Sequence, residues 1–391
     1  MAVLQLALVG LLCAAVSCQE PDSLRWVMQQ VASETKNKFN DDQKYDCTTS
    51  EGKNGFCVKK AQCDTPTQNV IDPTTVFTYR GKECHFLEEC CEKSKVITKT
   101  PPGPYKPPAL CGISNPGALS FRETTDQNFS DFADFPWMVA ILKTGKTDWD
   151  NEDYIGGGSI ISPSVVITAA HKIDDYNPGQ IKCRAGEWDT QVTKEVLPHQ
   201  DRLVKKIVLH PEFLKLHAHN DVALLILSEP FTLAPHVGVA CLGRIMPPAG
   251  TECYSMGWGA DIKKKTSYSG ILKKILLKLV RDKQCEINLK NTELGSTYTL
   301  HNSLTCAGGE GGVDTCVGDG GSPLVCPLPD PSRKSTRYAV YGMVAYGVGC
   351  GEKDVPGVYV NIPQVYQWVK DQMVAERLPN TQFDYCSQQN E

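Results

Sequence analysis

Six cysteines crowded into one short stretch constrain this chain more than any other feature. Cys47, Cys57, Cys63, Cys84, Cys90 and Cys91 fall within fewer than 50 residues. Such a stretch is too short to bury a large apolar core, so covalent staples must supply much of its stability. Spacing alone leaves fifteen ways to pair the six. Eighteen cysteines in all, two of them inside the first 18 residues, point to an oxidising compartment. There, bridges are a better reading of the cluster than a metal site.

The start of the chain agrees. Met1 to Cys18 has an apolar core from Val3 to Val16 followed by small residues, the pattern of a signal peptide cut before Gln19 and too short to anchor in a bilayer. With no second long apolar run, the mature chain is expected to be soluble. The 391 residues suggest one small and one large unit. Residues 19–46 form an N-terminal segment, 47–91 the stapled unit, 92–120 a linker, 121–375 the large unit and 376–391 a tail. Within the linker, Lys99 to Pro108 is proline-rich and reads as an extended, semi-rigid spacer. Forty basic against 45 acidic residues argue against nucleic acid as the main partner. Lys205-Lys206, Lys263 to Lys265 and Lys273-Lys274 read most simply as solvated charges.

In the large unit, short apolar runs such as Trp137 to Leu142, Ser159 to Thr168, Val222 to Leu227 and Tyr338 to Val344 alternate with glycine and proline turns, an all-β pattern. Pro363 to Arg377 reads as a closing helix. Three segments carry chemistry. Thr168-Ala-Ala-His171 follows the apolar run from Ile160 to Ile167. Asn220-Asp221 opens another such run, and Gly318-Asp-Gly-Gly-Ser-Pro323 forms a tight glycine-rich turn. With Gly257-Trp-Gly259, Tyr346 to Cys350 and Pro356 to Tyr359, these segments resemble the trypsin-like serine proteases over about residues 121–375. The resemblance implies a pair of six-stranded β-barrels, with His171 as general base and Asp221 as the carboxylate that orients it.

The nucleophile is missing from that pattern. The family writes Gly-Asp-Ser-Gly-Gly-Pro; in the register fixed by Gly318, Asp319 and Pro323, the hydroxyl's position is Gly320. Loss of a triad nucleophile costs roughly 10^6 in turnover, although amides at Gly318 and Gly320 could still form an oxyanion hole. Ser322 lies two residues further on, too far for a near-attack geometry. The activation junction departs too. It falls at Arg122, and a cut there exposes Glu123, whose carboxylate opposes burial beside Asp319; a zymogen-like pocket is expected. Finally, the cysteine after the family's histidine and its partner in the preceding strand are replaced by Lys172 and Gly156.

Other inherited positions persist. Asp314, Gly347 and Gly357 match the floor and walls of a pocket for Arg or Lys, either as a cleft that still holds a basic chain or as an unused remnant. Glu187 and Glu195 fall where the family often has a calcium loop, although a solvated acidic loop explains them as simply. No cofactor is required. Asn128-Phe-Ser130 is a glycosylation triplet.

The cysteine unit resembles the clip domain of arthropod secreted proteases, which implies Cys47 with Cys90, Cys57 with Cys84 and Cys63 with Cys91. The protease resemblance implies Cys111 with Cys241, tying the linker to the large unit, and Cys253 with Cys326, Cys285 with Cys306 and Cys316 with Cys350. Elimination leaves Cys183 with Cys386. A cut at Arg122 would therefore leave the clip unit attached; Arg80 is a second candidate cut. Clip unit, protease-like unit, Gly for Ser and the phrase Arg184 to Thr190 together resemble the insect clip-domain serine protease homologs of the prophenoloxidase-activating-factor and masquerade-like kind. That resemblance implies a secreted, inactive haemolymph cofactor or scaffold in melanisation. Its partners would be prophenoloxidase and its activating clip proteases, with self-oligomers after cleavage. A microbial-surface recognition protein or adhesin is the alternative, and an active endopeptidase the third.

Overall fold

The computed structural model describes residues 47–49, 52–59, 84, 88–95, 107–115, 128–145, 153–191, 195, 197–260, 268–311, 319–328, 337–349, 351–379 and 383–384. The leader, Cys63, Arg80, Arg122, Asp314, Cys316, Gly318, Cys350 and Cys386 lie outside them.

In the small unit, β1 (Cys47–Thr48), β2 (Asn54–Lys59) and β3 (Glu88–Glu92) form an antiparallel sheet in that order. Cys47 is bonded to Cys90 and Cys57 to Cys84, and Cys91 is also disulfide-bonded. Cys91 is fully buried, and Phe56 nearly so. Such bridges chiefly restrict the unfolded chain.

The large unit contains two closed six-stranded barrels. The first joins β4 (Met138–Lys143), β5 (Tyr154–Ser162), β6 (Val165–Thr168), β7 (Ile181–Ala185), β8 (Gln200–Leu209) and β9 (Ala223–Leu227) in the order β4-β5-β6-β9-β8-β7. The run from Ser159 to Thr168 is thus a hairpin and not one strand, because Pro163 has no amide hydrogen for a ladder. The second barrel uses β11 (Glu252–Gly257), β12 (Lys273–Val280), β13 (Leu304–Ala307), β14 (Pro323–Pro327), β15 (Tyr338–Tyr346) and β16 (Gly357–Asn361), closed by pairing of β15 with β16. The short β10 (Cys241–Leu242) lies parallel to β15. Closure leaves neither barrel a bare edge.

Among the described residues, the large unit also has two α-helices, α1 (Asp282–Lys290) and α2 (Ile362–Ala375). Helix α2 starts with Pro363 in its first turn, where a missing amide hydrogen costs nothing. It buries Ile362, Val365, Tyr366, Val369 and Met373, a single helical face. Cys253–Cys326 and Cys285–Cys306 bridge the second barrel.

The linker's end is held firmly. Cys111 is bonded to Cys241, Gly112 N donates to Val239 O at 2.7 Å, and Asn115 Nδ2 donates to Ala133 O and Pro235 O. The pairing of Cys183 with Cys386 is corrected. Cys183 is a free, fully buried thiol on β7, packed among Val139, Ile141, Ile181 and Ala185 inside the first barrel. Elimination fails because an isolated cysteine serves equally well as a small apolar core residue.

Candidate functional site

The base and its carboxylate come from opposite ends of paired strands. His171 lies in a single turn of 3-10 helix, Ala170–Lys172, directly after β6, and Asp221 precedes β9. Since β6 and β9 pair from Val165 with Ile226 to Thr168 with Ala223, the two residues meet at the barrel's mouth. His171 Nδ1 lies 2.6 Å from Asp221 Oδ2, and the His171 amide donates to Oδ1 at 2.8 Å. Asp221 is fully buried and His171 partly exposed. The approach to Asp221 is left-handed at Asn220 (φ 49°), whose amide donates to Ser303 Oγ at 2.9 Å.

Opposite the imidazole stands Gly320. A Cβ placed on it would lie 3.1 Å from His171 Nε2 and 2.8 Å from Lys172 Cδ. The imidazole is oriented for proton transfer with no hydroxyl before it at 320. Lys172 passes between the two glycines: a Cβ on Gly156 would meet Lys172 Cε at 2.9 Å and Gly320 O at 2.5 Å. Gly157 N donates to Gly320 O at 3.0 Å, pinning the turn to β5. Lys172 therefore fills volume that opens when residues 156 and 320 both lack side chains. Sequence reading registered only a lost cysteine there; the signal was a long side chain flanked by two glycines.

Ser322 points elsewhere. It is fully buried, and its Oγ faces the Cα atoms of Gly157 and Gly257. Asp319 lies along the end of β11, where Gly259 N donates to its Oδ1 at 2.9 Å. Tyr154 is also close: burial first, then the charge of Asp319, raises its hydroxyl's pKa well above the usual value.

Only part of the basic-side-chain pocket is described. Gly347 follows β15 and Gly357 opens β16, while the floor residue Asp314 and the oxyanion residue Gly318 lie outside the described residues. Beside Gly347, the Tyr346 hydroxyl is 2.7 Å from that of Tyr298, a wall contact that sequence reading missed. Asn128 is exposed and its carbonyl accepts from Lys274 N at 2.7 Å.

Glu187 and Glu195 do come together, but as a buried pair. Glu187 Oε2 faces Arg184 Nη1 at 3.3 Å and His199 Nδ1 at 3.2 Å, and Glu195 Oε1 accepts from the amides of Trp188 and Asp189 at 2.9 and 2.7 Å. Burial, then the Glu187 charge, pushes the Glu195 carboxyl up to about 9. Glu195 Oε2 has no hydrogen-bond donor among the described residues. A calcium ion wants six or more oxygens. Glu187 Oε2 is taken by Arg184 and His199 and Glu195 Oε1 by two backbone amides, so the described residues offer a poor fit to such a shell.

Comparison with known proteins agrees with the fold. The Trypsin family model matches residues 126–369. The chain is 44% identical over 303 residues to phenoloxidase-activating factor 2 of Galleria mellonella, covering 74% of this chain and 97% of that protein. It is 33% identical to inactive CLIP domain-containing serine protease A28 of Anopheles gambiae, covering 84% and 91% of the two chains. Phenoloxidase-activating factor 3 of Holotrichia diomphalia is 28% identical, with 83% and 92% covered.

Proposed function

The chain belongs to the trypsin family, and within it to the insect clip-domain serine protease homologs; from that membership we propose that it is a non-catalytic cofactor of prophenoloxidase activation. One observation carries the reading: His171, oriented by Asp221, faces a glycine, and the stem of Lys172 occupies the space a nucleophile would need. A base without a nucleophile holds the shape of a protease while lacking the group that opens a peptide bond. What remains useful is surface and shape. Relatives matched over more than nine-tenths of their own length carry names of both kinds, phenoloxidase-activating factor and inactive CLIP protease.

In this reading the chain is secreted into haemolymph and cut by an upstream clip protease at Arg122 or Arg80. It keeps its clip unit through Cys111–Cys241 and engages prophenoloxidase together with its activating protease, as a single copy or a self-assembled scaffold. The test is phenoloxidase activation in a purified mixture of zymogen and activating protease, with and without this protein. Stimulation by the native chain supports the cofactor role. Absence of stimulation, with binding to bacterial surfaces instead, would replace it with surface recognition.

A further inference from the structure

We propose that His219 and His301 form a pH-sensitive latch, which holds the loop 211–220 against the segment before β13 while both rings are neutral and releases it when they take up protons.

The latch closes beside the approach to Asp221. Loop 211–220 follows β8 and runs directly into Asp221, ahead of β9. Near its end the His219 ring stacks on that of His301, with centroids 3.9 Å apart and planes 11° from parallel. The ring of His217 is 5.4 Å from that of His219. His217 is exposed and the other two are half-buried, so all three exchange protons with water.

Hydrogen bonding fixes which form of His301 fits. Ser303 N donates to His301 Nδ1 at 3.3 Å, so that nitrogen carries a lone pair and the ring proton sits on Nε2. Ser303 Oγ is 2.8 Å from the same Nδ1 and accepts from Asn220 N at 2.9 Å, which leaves its own proton to point at the imidazole. A further proton on His301 goes only to Nδ1. There it meets the Ser303 amide hydrogen, both bonds to Nδ1 are lost, and the hold of Ser303 on Asn220 loosens with them. Protonation of His219 as well puts two cations in face-to-face contact, which repel.

Few other charges bear on the pair. Burial first, then the charges of His301 and His217, lowers the pKa of His219. The acids on neighbouring elements are engaged: Asp221 holds His171, Asp174 and Asp175 hold Lys215, and Glu286 of α1 pairs with Lys290 and accepts from Leu300 N at 3.1 Å. Glu212, in the same loop, acts on His210. The latched rings thus bind fewer protons than the released ones, so the latch is fully closed above the ordinary histidine pKa and opens as pH falls.

The backbone beside the latch is set to relax. Ala218 (φ 51°) and Asn220 (φ 49°), on either side of His219, are both left-handed, a conformation that residues other than glycine keep only where contacts hold it. Leu214 and Leu216 of the same loop are exposed, the latter at 88%. Release changes both the support of Asp221 and the presentation of these two leucines. The inference goes beyond the cofactor reading and stands without it.

The experiment is hydrogen–deuterium exchange of the full chain, read by mass spectrometry at about pH 7.5 and about pH 5.5, with times corrected for the intrinsic pH dependence of exchange. Millimolar EDTA is present to exclude a metal bridge between the rings. Protection of 211–220 is expected to fall about tenfold, the effect of one proton taken up by a released histidine of ordinary pKa, about 6.5, while β9 keeps its protection. His301→Asn keeps a short oxygen acceptor for Ser303 without the charge and should abolish the fall. His219→Phe keeps a stacked ring without the charge and should shrink it. Unchanged protection of 211–220 in the native chain, an equal loss in β9, or a full fall in either variant overturns the proposal, and none of these results touches the cofactor assay.

Discussion

The stem of Lys172 lies where a side chain on residue 320 would begin: a Cβ on Gly320 would fall 2.8 Å from Lys172 Cδ and 3.3 Å from Cγ. The two residues are matched in size, so a serine at 320 has to displace a packed lysine.

Gly320→Ser is therefore expected to lower stability by about 1–2 kcal/mol, as overpacking does, and to leave peptide hydrolysis absent. Gly320 has no positive φ, unlike Gly321 at 84°, so the penalty comes from the lysine and not from the backbone. In the double variant Gly320→Ser with Lys172→Ala, the destabilisation should fall short of the sum of the singles by about 1 kcal/mol. Additive values from thermal unfolding would show that the residues do not interlock.

Ser322 is not expected to replace the nucleophile, because its hydroxyl is buried against Gly157 and Gly257. The native chain should give no fluorophosphonate adduct, and Ser322→Ala should leave stimulation of phenoloxidase activation within about twofold of native, since surface and shape persist. An adduct mapped to Ser322 would contradict both the geometry and the cofactor reading.

Cys183 should resist iodoacetamide in the native protein and react once guanidinium unfolds it without reductant. Burial, then the charge of Asp201, raises its thiol pKa far above the ordinary range, so little thiolate forms. Cys183→Ser is expected to cost about 1–3 kcal/mol by placing a hydroxyl among aliphatic side chains. A peptide linking Cys183 to Cys386 in a non-reducing digest would restore the discarded bridge.

Glu195 gives the fold a pH dependence of definite sign. Its carboxyl ionises at about 9 in the folded chain, against an ordinary 4.5. Between those values the native state binds the extra proton, so stability falls as pH rises through this window and is unaffected below it. Glu195→Gln mimics the protonated acid and should raise Tm by a few degrees at pH 8 while changing little at pH 4. Millimolar calcium should leave both proteins unchanged. A rise in Tm for the native chain alone would mean that the Glu187–Glu195 pair takes the ion after all.

Much of the site was legible from chain order. His171, Asp221 and the Asp319 to Pro323 turn are short local patterns, each tied to one strand end, and closure of the barrels brings strand ends together at one mouth. Lys172 was legible only as an absence, because its role depends on two glycines distant in sequence, Gly156 and Gly320, becoming neighbours on either side of it. The same limit explains the split of the Ser159 to Thr168 run, where Pro163 was visible but the hairpin partner was not.

By itself, the sequence determined a secreted, disulfide-stapled chain with a protease-like β-barrel unit and no hydroxyl at 320, because cysteine crowding, strand periodicity and a six-residue turn are local properties of covalent order. Only the tertiary structure decided that Cys183 stays a core thiol, that Glu187 and Glu195 form a buried pair, and that Lys172 lies across the vacated site. Each of these depends on burial and on contacts between distant segments, and the cost of desolvating a thiol, a carboxyl or an ammonium exists only once the barrels have closed around it.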